Sequence, residues 1–319
     1  MTGKHYGPPD ASRSPRFTGV RTFARCPHAR VTEGVDLAVV GIPFDTATSN
    51  RPGSRFGPSA IRDQSIALRP FNPALKVDVF DALSVVDWGD LDTTPGNAER
   101  TAGQIDAQLR PLLEAGLVTI ALGGDHSIVL GELRAHAATH GPLALVLLDA
   151  HADTWDGYYG ERYFHGTSFR RAAEEGLLLP ERSLMAGMRG SLYSSADWSD
   201  ARSLGFDLMV DQELVSLTPG EFASAVRKRV GDAPVFMSFD IDVVDPAFAP
   251  GTGTPEVGGL TSREALRYVR ALSGMEFKGF DVVEVSPPFD DAGATTAVLA
   301  ASLAYEFMSL VAVARNAHG

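Results

Sequence analysis

Three short clusters of histidine and aspartate are the residues of this chain whose types and spacing could do chemistry. They are GGDHS at 123–127, DAHAD at 149–153 and DID at 240–242. Each cluster directly follows a short apolar run that is typical of a strand. Because alternate residues at a strand end point to the same side, Asp149, His151 and Asp153 can converge, and so can Asp240 and Asp242. The pattern predicts one shared site built from three strand ends.

Together the clusters supply two imidazoles and four carboxylates as candidate metal ligands. These are His126, Asp149, His151, Asp153, Asp240 and Asp242. Four carboxylates crowded together repel one another unless cations neutralise them. Two divalent ions would balance them, and a bridging hydroxide would leave a charge of about −1, which suits a cationic substrate. The oxygen-rich set favours manganese over a tetrahedral structural zinc site, so we predict two Mn²⁺ ions per chain.

A single Asp-x-His or Asp-x-Asp at a strand end would be weak evidence, because helix caps and turns use the same residues. Three such clusters at three strand ends favour a metal site over a coincidence of caps. Asp125, inside the first cluster, is expected to hydrogen-bond a ligand histidine rather than bind metal itself.

The elements that must position these clusters follow from the apolar pattern. Short runs rich in β-branched residues predict parallel strands, covered on both faces, at 37–42, 118–122, 143–148, 184–188, 235–239 and 280–285. Helical patterns lie between them at 58–68, 98–115, 127–140, 169–175, 219–230, 262–272 and 297–314. The alternation predicts an α/β fold, with a single catalytic domain at 35–319 after an irregular arm at 1–34.

Composition excludes several classes of protein. Acidic residues outnumber basic ones to give a net charge of −12, which argues against a nucleic-acid partner and leans towards a cationic substrate. Cys26 is the only cysteine, so neither a disulfide within the chain nor a thiolate zinc site is possible. We find no signal-like apolar segment and no run of 18 apolar residues, and we therefore expect a cytoplasmic protein without a membrane partner.

The motifs resemble those of the ureohydrolase family, which includes arginase, agmatinase, guanidinobutyrase, guanidinopropionase, proclavaminate amidinohydrolase and formiminoglutamase. Beyond the first two clusters, the resemblance rests on RPGSRFGP at 51–58, HGTSFR at 165–170, SFDIDVVDPAFAPGTGTPEVGG at 238–259 and VVEVSPPFD at 282–290. It implies a three-layer α/β/α fold around a mainly parallel eight-stranded sheet, a dinuclear manganese centre, and a homotrimer or homohexamer. It also implies that Asp149 and Asp240 bridge the two ions.

A guanidinium carbon is a poor electrophile, because resonance spreads its charge over three nitrogens. Metal-activated hydroxide would supply the strong nucleophile that the reaction needs. Asp153 would bind metal and accept a hydrogen bond from this hydroxide. Glu284 would hold the guanidinium edge as a two-point fork. His165 would carry the proton that the leaving amine requires.

The substrate tail would be read by loops over the site, at 155–164 and 189–197. In the first loop the candidates are Trp155, Tyr158, Tyr159 and Arg162. The loop carries charges of both signs, so it does not determine whether the substrate tail ends in an ammonium or a carboxylate group. The acidic balance of the chain leans towards a dication, and we therefore predict hydrolysis of agmatine to putrescine and urea. The alternative substrates are guanidino acids, 4-guanidinobutyrate or 3-guanidinopropionate.

Two other classes remain as remote alternatives. A single-zinc amidohydrolase of the deacetylase type would not need His126 and Asp153 as ligands. An inactive assembly subunit should have lost at least one residue of the site, and none is missing.

Overall fold

The computed structural model describes residues 5–317 and the backbone of His318. In chain order its strands are β1 (Leu37–Ile42), β2 (Phe71–Asn72), β3 (Val77–Asp78), β4 (Val85–Asp90), β5 (Val118–Gly123), β6 (Ala144–Leu148), β7 (Leu184–Met188), β8 (Asp207–Val210), β9 (Val235–Asp240) and β10 (Phe277–Val283). Its α-helices are α1 (Gly57–Ser65), α2 (Val79–Ala82), α3 (Ala98–Glu114), α4 (Val129–His140), α5 (Ser168–Glu174), α6 (Asp197–Ser203), α7 (Asp211–Ser216), α8 (Pro219–Val230), α9 (Ser262–Ala271) and α10 (Thr295–His318).

Eight of the strands form one sheet in the order β4-β1-β5-β10-β9-β6-β7-β8. Every neighbouring pair in it is parallel. The inner strands β6 and β9 are buried along their whole length, as expected of a sheet covered on both faces. The predicted α/β fold with an eight-stranded sheet is therefore confirmed, and the sheet is wholly parallel rather than mainly parallel.

Side chains alternate between two cores on opposite faces of the sheet. In β1, Leu37 and Val39 belong to one core, whereas Ala38 and Val40 belong to the other. Helices α1, α8, α9 and α10 pack among themselves on the first face, and α3, α4 and α5 pack together on the second. This arrangement gives the three layers that the resemblance implied.

The apolar pattern missed both edge strands, β4 and β8. Their sequences, VVDWGD and DLMV, mix charged with apolar residues, and both strands are partly exposed. An edge strand is solvated on one side, so its sequence need not be continuously apolar. The pattern also missed the short β2–β3 hairpin and helices α2, α6 and α7, and it placed β10 at 280–285 instead of Phe277–Val283.

The last helix, α10, is long and apolar enough to cross a membrane by length and composition alone. Its mean hydropathy reaches 1.8, but most of it is buried inside the protein. It packs against α1, α9 and β10. We therefore interpret its apolar character as that of a core helix.

The segment before β1 lies against edge strand β4 and includes only one short 3-10 helix, Phe23–Arg25, within the described residues. Its main attachment is Asp87 of β4, whose carboxylate is buried. That carboxylate accepts hydrogen bonds from the backbone N–H of Phe23 at 2.7 Å and from Nε of Arg62 at 2.8 Å. Arg62 also contacts Asp90 at 2.6 Å, so α1, β4 and the N-terminal segment share one ion-pair network.

We predict that Arg62→Ala lowers the free energy of unfolding by about 3–5 kcal/mol, because it leaves the buried Asp87 carboxylate without its cation. Denaturant unfolding of the metal-free protein, followed by circular dichroism, measures the effect. Arg110→Ala is the matched control, since Arg110 forms an exposed ion pair with Asp106 and its loss should cost less than about 1 kcal/mol. Equal effects of the two substitutions would contradict a central role for the network.

Candidate active site

The predicted ligands lie at the carboxyl ends of central strands. His126 begins the short turn after β5, and Asp149 directly follows β6. Asp240 is the last residue of β9, and Asp242 stands two residues beyond it. Strands β5, β10, β9 and β6 are consecutive in the sheet. The clusters are therefore neighbours in space although more than a hundred residues separate His126 from Asp240.

Two groups of potential ligands converge there, and Asp149 belongs to both. Nδ1 of His126 lies 3.2 Å from a carboxylate oxygen of Asp149, 3.0 Å from one of Asp153 and 3.2 Å from one of Asp240. Nδ1 of His151 lies 3.1 Å from Asp242 and 3.6 Å from Asp149. The six predicted residues thus form two adjacent sets of donor atoms around a shared carboxylate.

Backbone amides hold three of the carboxylates by one oxygen each. Oδ1 of Asp149 accepts from His151 N–H at 2.6 Å, and Oδ1 of Asp240 accepts from Asp242 N–H at 2.9 Å. Oδ1 of Asp242 accepts from Ala150 N–H at 3.1 Å. In each case the second oxygen, Oδ2, is the one nearer to a histidine Nδ1. The strand ends therefore orient the carboxylates before any cation binds.

The donor atoms fit divalent cations better than they fit one another. Nδ1 of His126 and Oδ2 of Asp149 are buried and form no hydrogen bond within the described part of the chain, although they are 3.2 Å apart. Buried polar atoms normally find a partner. Two unpaired atoms that face the same point, beside several more carboxylates, are the arrangement expected of metal ligands.

The pKa values of the cluster also indicate that bound positive charge would stabilise it. Burial alone would lower the pKa of His126, but the carboxylates of Asp149, Asp153 and Asp240 beside its Nδ1 raise that pKa well above the ordinary value. Burial, together with the charges of Asp242 and Asp153, raises the pKa of Asp149 to about 6. Without cations the cluster therefore retains protons that metal ions would displace.

Behind the cluster, a hydrogen-bond chain fixes the orientation of His126. Its Nε2 lies 2.8 Å from Oγ of Ser238, and that hydroxyl donates to Asp281 at 2.7 Å. The expectation that Asp125 hydrogen-bonds a ligand histidine is wrong. The carboxylate of Asp125 instead accepts from the backbone N–H of Ala47 and Ser127, because it caps the turn after β5 and holds a neighbouring loop.

Glu284 and His165 meet next to the cluster. Oε1 of Glu284 lies 2.9 Å from Nδ1 of His165 and accepts from the backbone N–H of His126 at 2.9 Å. Burial alone would lower the pKa of His165, but Glu284 raises it to about 9. Glu284 and Asp153 both adopt left-handed backbone conformations, with φ of 62° and 50°. Such conformations are costly for these residues and concentrate at functional sites.

A cavity of about 270 Å³ opens beside the cluster, and His151, Asp153, His165 and Asp240 line it. Trp155 and Tyr158, two of the four predicted tail residues, line it. The other two do not: Tyr159 is 81% exposed, and Arg162 pairs with Glu174 at 2.8 Å on the surface. The sequence interpretation missed three further lining residues, namely Ser49, Thr254 and Glu256. Ser49 lies outside the motifs quoted above, whereas Thr254 and Glu256 lie within the 238–259 motif but were given no role in the site. Tyr193, which also lines the cavity, lies in the predicted 189–197 segment.

Known proteins match nearly the whole chain. A family model described as the arginase family matches residues 35–309. The guanidinobutyrase of Pseudomonas aeruginosa is 42% identical over 95% of this chain and 96% of its own length. The mitochondrial agmatinase of Gallus gallus is 43% identical over 95% and 89%. The solved structure of proclavaminate amidinohydrolase from Streptomyces clavuligerus superposes with a TM-score of 0.89 at 43% identity, and covers 94% of this chain and 100% of its own. These matches confirm the resemblance and the fold.

We predict that Asp149→Ala weakens Mn²⁺ binding at both positions by more than about 100-fold, because both groups of donor atoms lose their shared carboxylate. Elemental analysis after dialysis, together with calorimetric titration, measures the loss. Glu161→Gln removes an exposed negative charge from the loop over the site and should leave metal content unchanged. A metal-replete Asp149→Ala variant would refute the assignment.

We also predict that apparent Mn²⁺ affinity rises from about pH 5.5 to about pH 8. Asp149 has a pKa of about 6 in the folded metal-free protein and about 3.9 when unfolded. At a pH between these two pKa values the folded state binds more protons than the unfolded state, so the free energy of unfolding of the metal-free protein falls as pH rises. Metal binding releases those protons and strengthens with pH. Melting temperatures with and without Mn²⁺ should diverge as pH rises, and a constant difference would contradict this account.

Proposed function

The chain belongs to the arginase family, and from that premise we propose that it hydrolyses agmatine to putrescine and urea with two Mn²⁺ ions bound by the Asp–His cluster. The coarser activity follows from its relatives: it is a hydrolase that acts on a C–N bond of a small guanidino compound. The observation that carries the proposal is the convergence of His126, His151 and four aspartates on two adjacent points.

The donor set supports manganese as the metal, because four carboxylates and two imidazoles suit a cation that is harder than zinc and accepts more ligands. One ion would be held by His126, Asp149, Asp153 and Asp240. The other would be held by Asp149, His151, Asp240 and Asp242, with Asp149 and Asp240 shared. Such ions lower the pKa of bound water towards neutrality and polarise the group under attack.

Glu284 is proposed to hold the guanidinium of the substrate. Its Oε1 already accepts from His126 N–H and contacts His165, whereas no described residue forms a hydrogen bond with its Oε2. The free oxygen is therefore the one that would meet the guanidinium N–H groups. The sequence predicted that both carboxylate oxygens of Glu284 bind the guanidinium, whereas the structure favours a contact made chiefly through Oε2.

His165 is proposed to deliver the proton that the leaving amine requires. Its contact with Glu284 raises its pKa to about 9 and so favours the protonated ring, and it lines the cavity. Asp153 would accept a hydrogen bond from the attacking nucleophile and so orient its lone pair towards the guanidinium carbon. With Glu284, these residues would position, orient and protonate the substrate.

The wall of the cavity supports a tail that ends in an ammonium group. Glu256 is a lining carboxylate outside the cluster, and among the described residues neither Arg nor Lys lines the cavity. Trp155 and Tyr193 stand nearby, with ring centroids 5.7 Å apart. A carboxylate beside aromatic rings attracts a cation by charge and by cation–π contact. Arg162, the cationic candidate for a carboxylate tail, is engaged with Glu174 instead.

A second candidate substrate class is the guanidino acids. Guanidinobutyrase and guanidinopropionase of Pseudomonas aeruginosa are each 42% identical to this chain, so sequence similarity favours neither tail. Backbone amides of the loops could bind a carboxylate without an arginine. The two remote alternatives have less support. A single-zinc deacetylase-type site would not require Asp153 and His126 to converge. An inactive subunit should lack one of the site residues, and none is missing.

We further propose that residues 35–319 form one catalytic domain and 1–34 an arm, although residues 1–4 and 319 lie outside the described part of the chain. We propose a homotrimer or homohexamer located in the cytoplasm. The lone Cys26 is buried, which is compatible with a reducing compartment.

Urea release by Mn-loaded enzyme tests the proposal on agmatine, 4-guanidinobutyrate, 3-guanidinopropionate and arginine. We predict the highest kcat/KM for agmatine. Glu256→Gln should lower that value about fivefold, equivalent to ~1 kcal/mol for a partly exposed charge pair, and should not lower the value for 4-guanidinobutyrate. Glu161→Gln serves as the control. Preference for a guanidino acid would move the assignment to the second class, and absence of urea from all four compounds would refute both.

A further inference from the structure

We infer that Ser49 is a positioning residue for His165, which it holds through both its hydroxyl and its backbone amide while the imidazole carries the proton of the reaction. This inference rests on the proposed function, because it assigns work to the proton-carrying histidine of that site. Ser49 lies in the loop after β1, outside all of the motifs that identified the site. It lines the same cavity as His165 and is half-buried.

The contacts of His165 assign its two ring nitrogens different partners. Nε2 lies 3.1 Å from the backbone N of Ser49 and 2.8 Å from its Oγ. Nδ1 lies 2.9 Å from Oε1 of Glu284. A backbone N–H can only donate and an ionised carboxylate can only accept. The neutral ring therefore carries its proton on Nδ1 and its lone pair on Nε2, next to Ser49.

Ser49 can accommodate both protonation states of the ring. When Nε2 carries a lone pair, the backbone N–H of Ser49 donates to it. When Nε2 carries a proton, the backbone N–H can no longer donate to it, and the hydroxyl oxygen accepts the hydrogen bond instead, because a serine hydroxyl is both donor and acceptor. An alanine or glycine at this position would keep only the first arrangement. The hydroxyl therefore matters most in the protonated state, which is the state that must deliver a proton to the leaving amine.

The loop that carries Ser49 is held on both sides of it. Ala47 donates its N–H to Asp125 at 2.9 Å and accepts from the N–H of His165 at 3.0 Å. On the other side, the side chain of Asn50 donates to the carbonyl of Gly253 at 3.1 Å. Farther along, Asp45 accepts from the backbone N–H of Gly53 at 2.8 Å. Ser49 is therefore presented to His165 by a loop fixed to the same strand end that carries His126.

A role through His165 differs from a role in substrate or metal binding. Among the described residues, Ser49 forms no hydrogen bond with any of the six proposed metal ligands, so metal content should not depend on its hydroxyl. If the hydroxyl acts through the imidazole, its removal should lower kcat and spare KM, because proton delivery follows binding. A serine that bound the substrate tail directly would instead change KM.

The test compares Ser49→Ala, which keeps the amide, with Ser49→Thr, which keeps the hydroxyl. On the best substrate of the panel, Ser49→Ala should lower kcat about tenfold with KM changed less than about twofold. Ser49→Thr should recover most of that loss. In a His165→Ala background, Ser49→Ala should have no further effect, since the hydroxyl would have nothing to position. Ser59→Ala, an exposed serine just beyond the same loop, is the matched control.

A second readout does not depend on turnover. Nitrogen-15 spectra of the histidine rings in metal-free protein, assigned by the His165→Ala difference, report which nitrogen of His165 is protonated. In the wild type at high pH, the spectra should show that Nδ1 of His165 is protonated and that Nε2 is not. The opposite tautomer would overturn the inference.

The kinetic outcomes separate the two hypotheses. An active wild type with an unaffected Ser49→Ala variant refutes the role of Ser49 alone. Loss of bound Mn²⁺, or a rise in KM at constant kcat, would also overturn it, because either would make Ser49 a structural or substrate-binding residue. A wild type that releases no urea from any compound of the panel refutes the proposed function, and the ring spectra then decide the geometry of Ser49 independently.

Discussion

Four carboxylates that must lie side by side in a buried place are the constraint on which the rest of this site depends. Like charges at this distance cannot all be ionised without counter-ions, and the raised pKa of Asp149 is the consequence in the metal-free protein. Two histidines cannot neutralise the cluster permanently, because a metal ligand needs its nitrogen lone pair. The cluster is thus poised to exchange protons for divalent cations, and the proposed chemistry follows from that exchange.

The parallel sheet makes this crowding possible. Strands β5, β10, β9 and β6 all end at the same edge, where backbone N–H groups just past β6 and β9 hold one oxygen of a carboxylate and turn the other towards the cluster. The left-handed conformations of Asp153 and Glu284 are a local cost that the surrounding hydrogen bonds offset. Glu284, for example, is held by its own N–H to Gly124 and by its Oε1 to His126.

What could be predicted from sequence is what depends on neighbouring residues. The proposed ligands were found because a strand end followed by Asp-x-His or Asp-x-Asp is a local pattern, and the inner strands were found because burial on both faces demands apolar residues. Edge strands β4 and β8 escaped because half of each is solvated. Ser49 and Ser238 escaped because their partners lie far away in the chain, and Glu256 escaped because only the fold places it beside the cavity. Asp125 was predicted wrongly for the same reason, because its partner Ala47 is far away in the chain. Arg162 does not line the cavity because its guanidinium forms an ion pair with Glu174.

The site divides into a part that the sheet fixes and a part that loops supply, and this division separates reaction from specificity. The reacting guanidinium would face groups anchored at strand ends, which cannot move without disturbing the core. The tail would face Trp155, Tyr193 and Glu256, which stand on loops. Substitutions there can change the charge that the tail meets while the strand ends stay in place. Relatives of similar identity bear the names of enzymes for different guanidino compounds, as expected if loop side chains, rather than the strand ends, choose between an ammonium and a carboxylate tail.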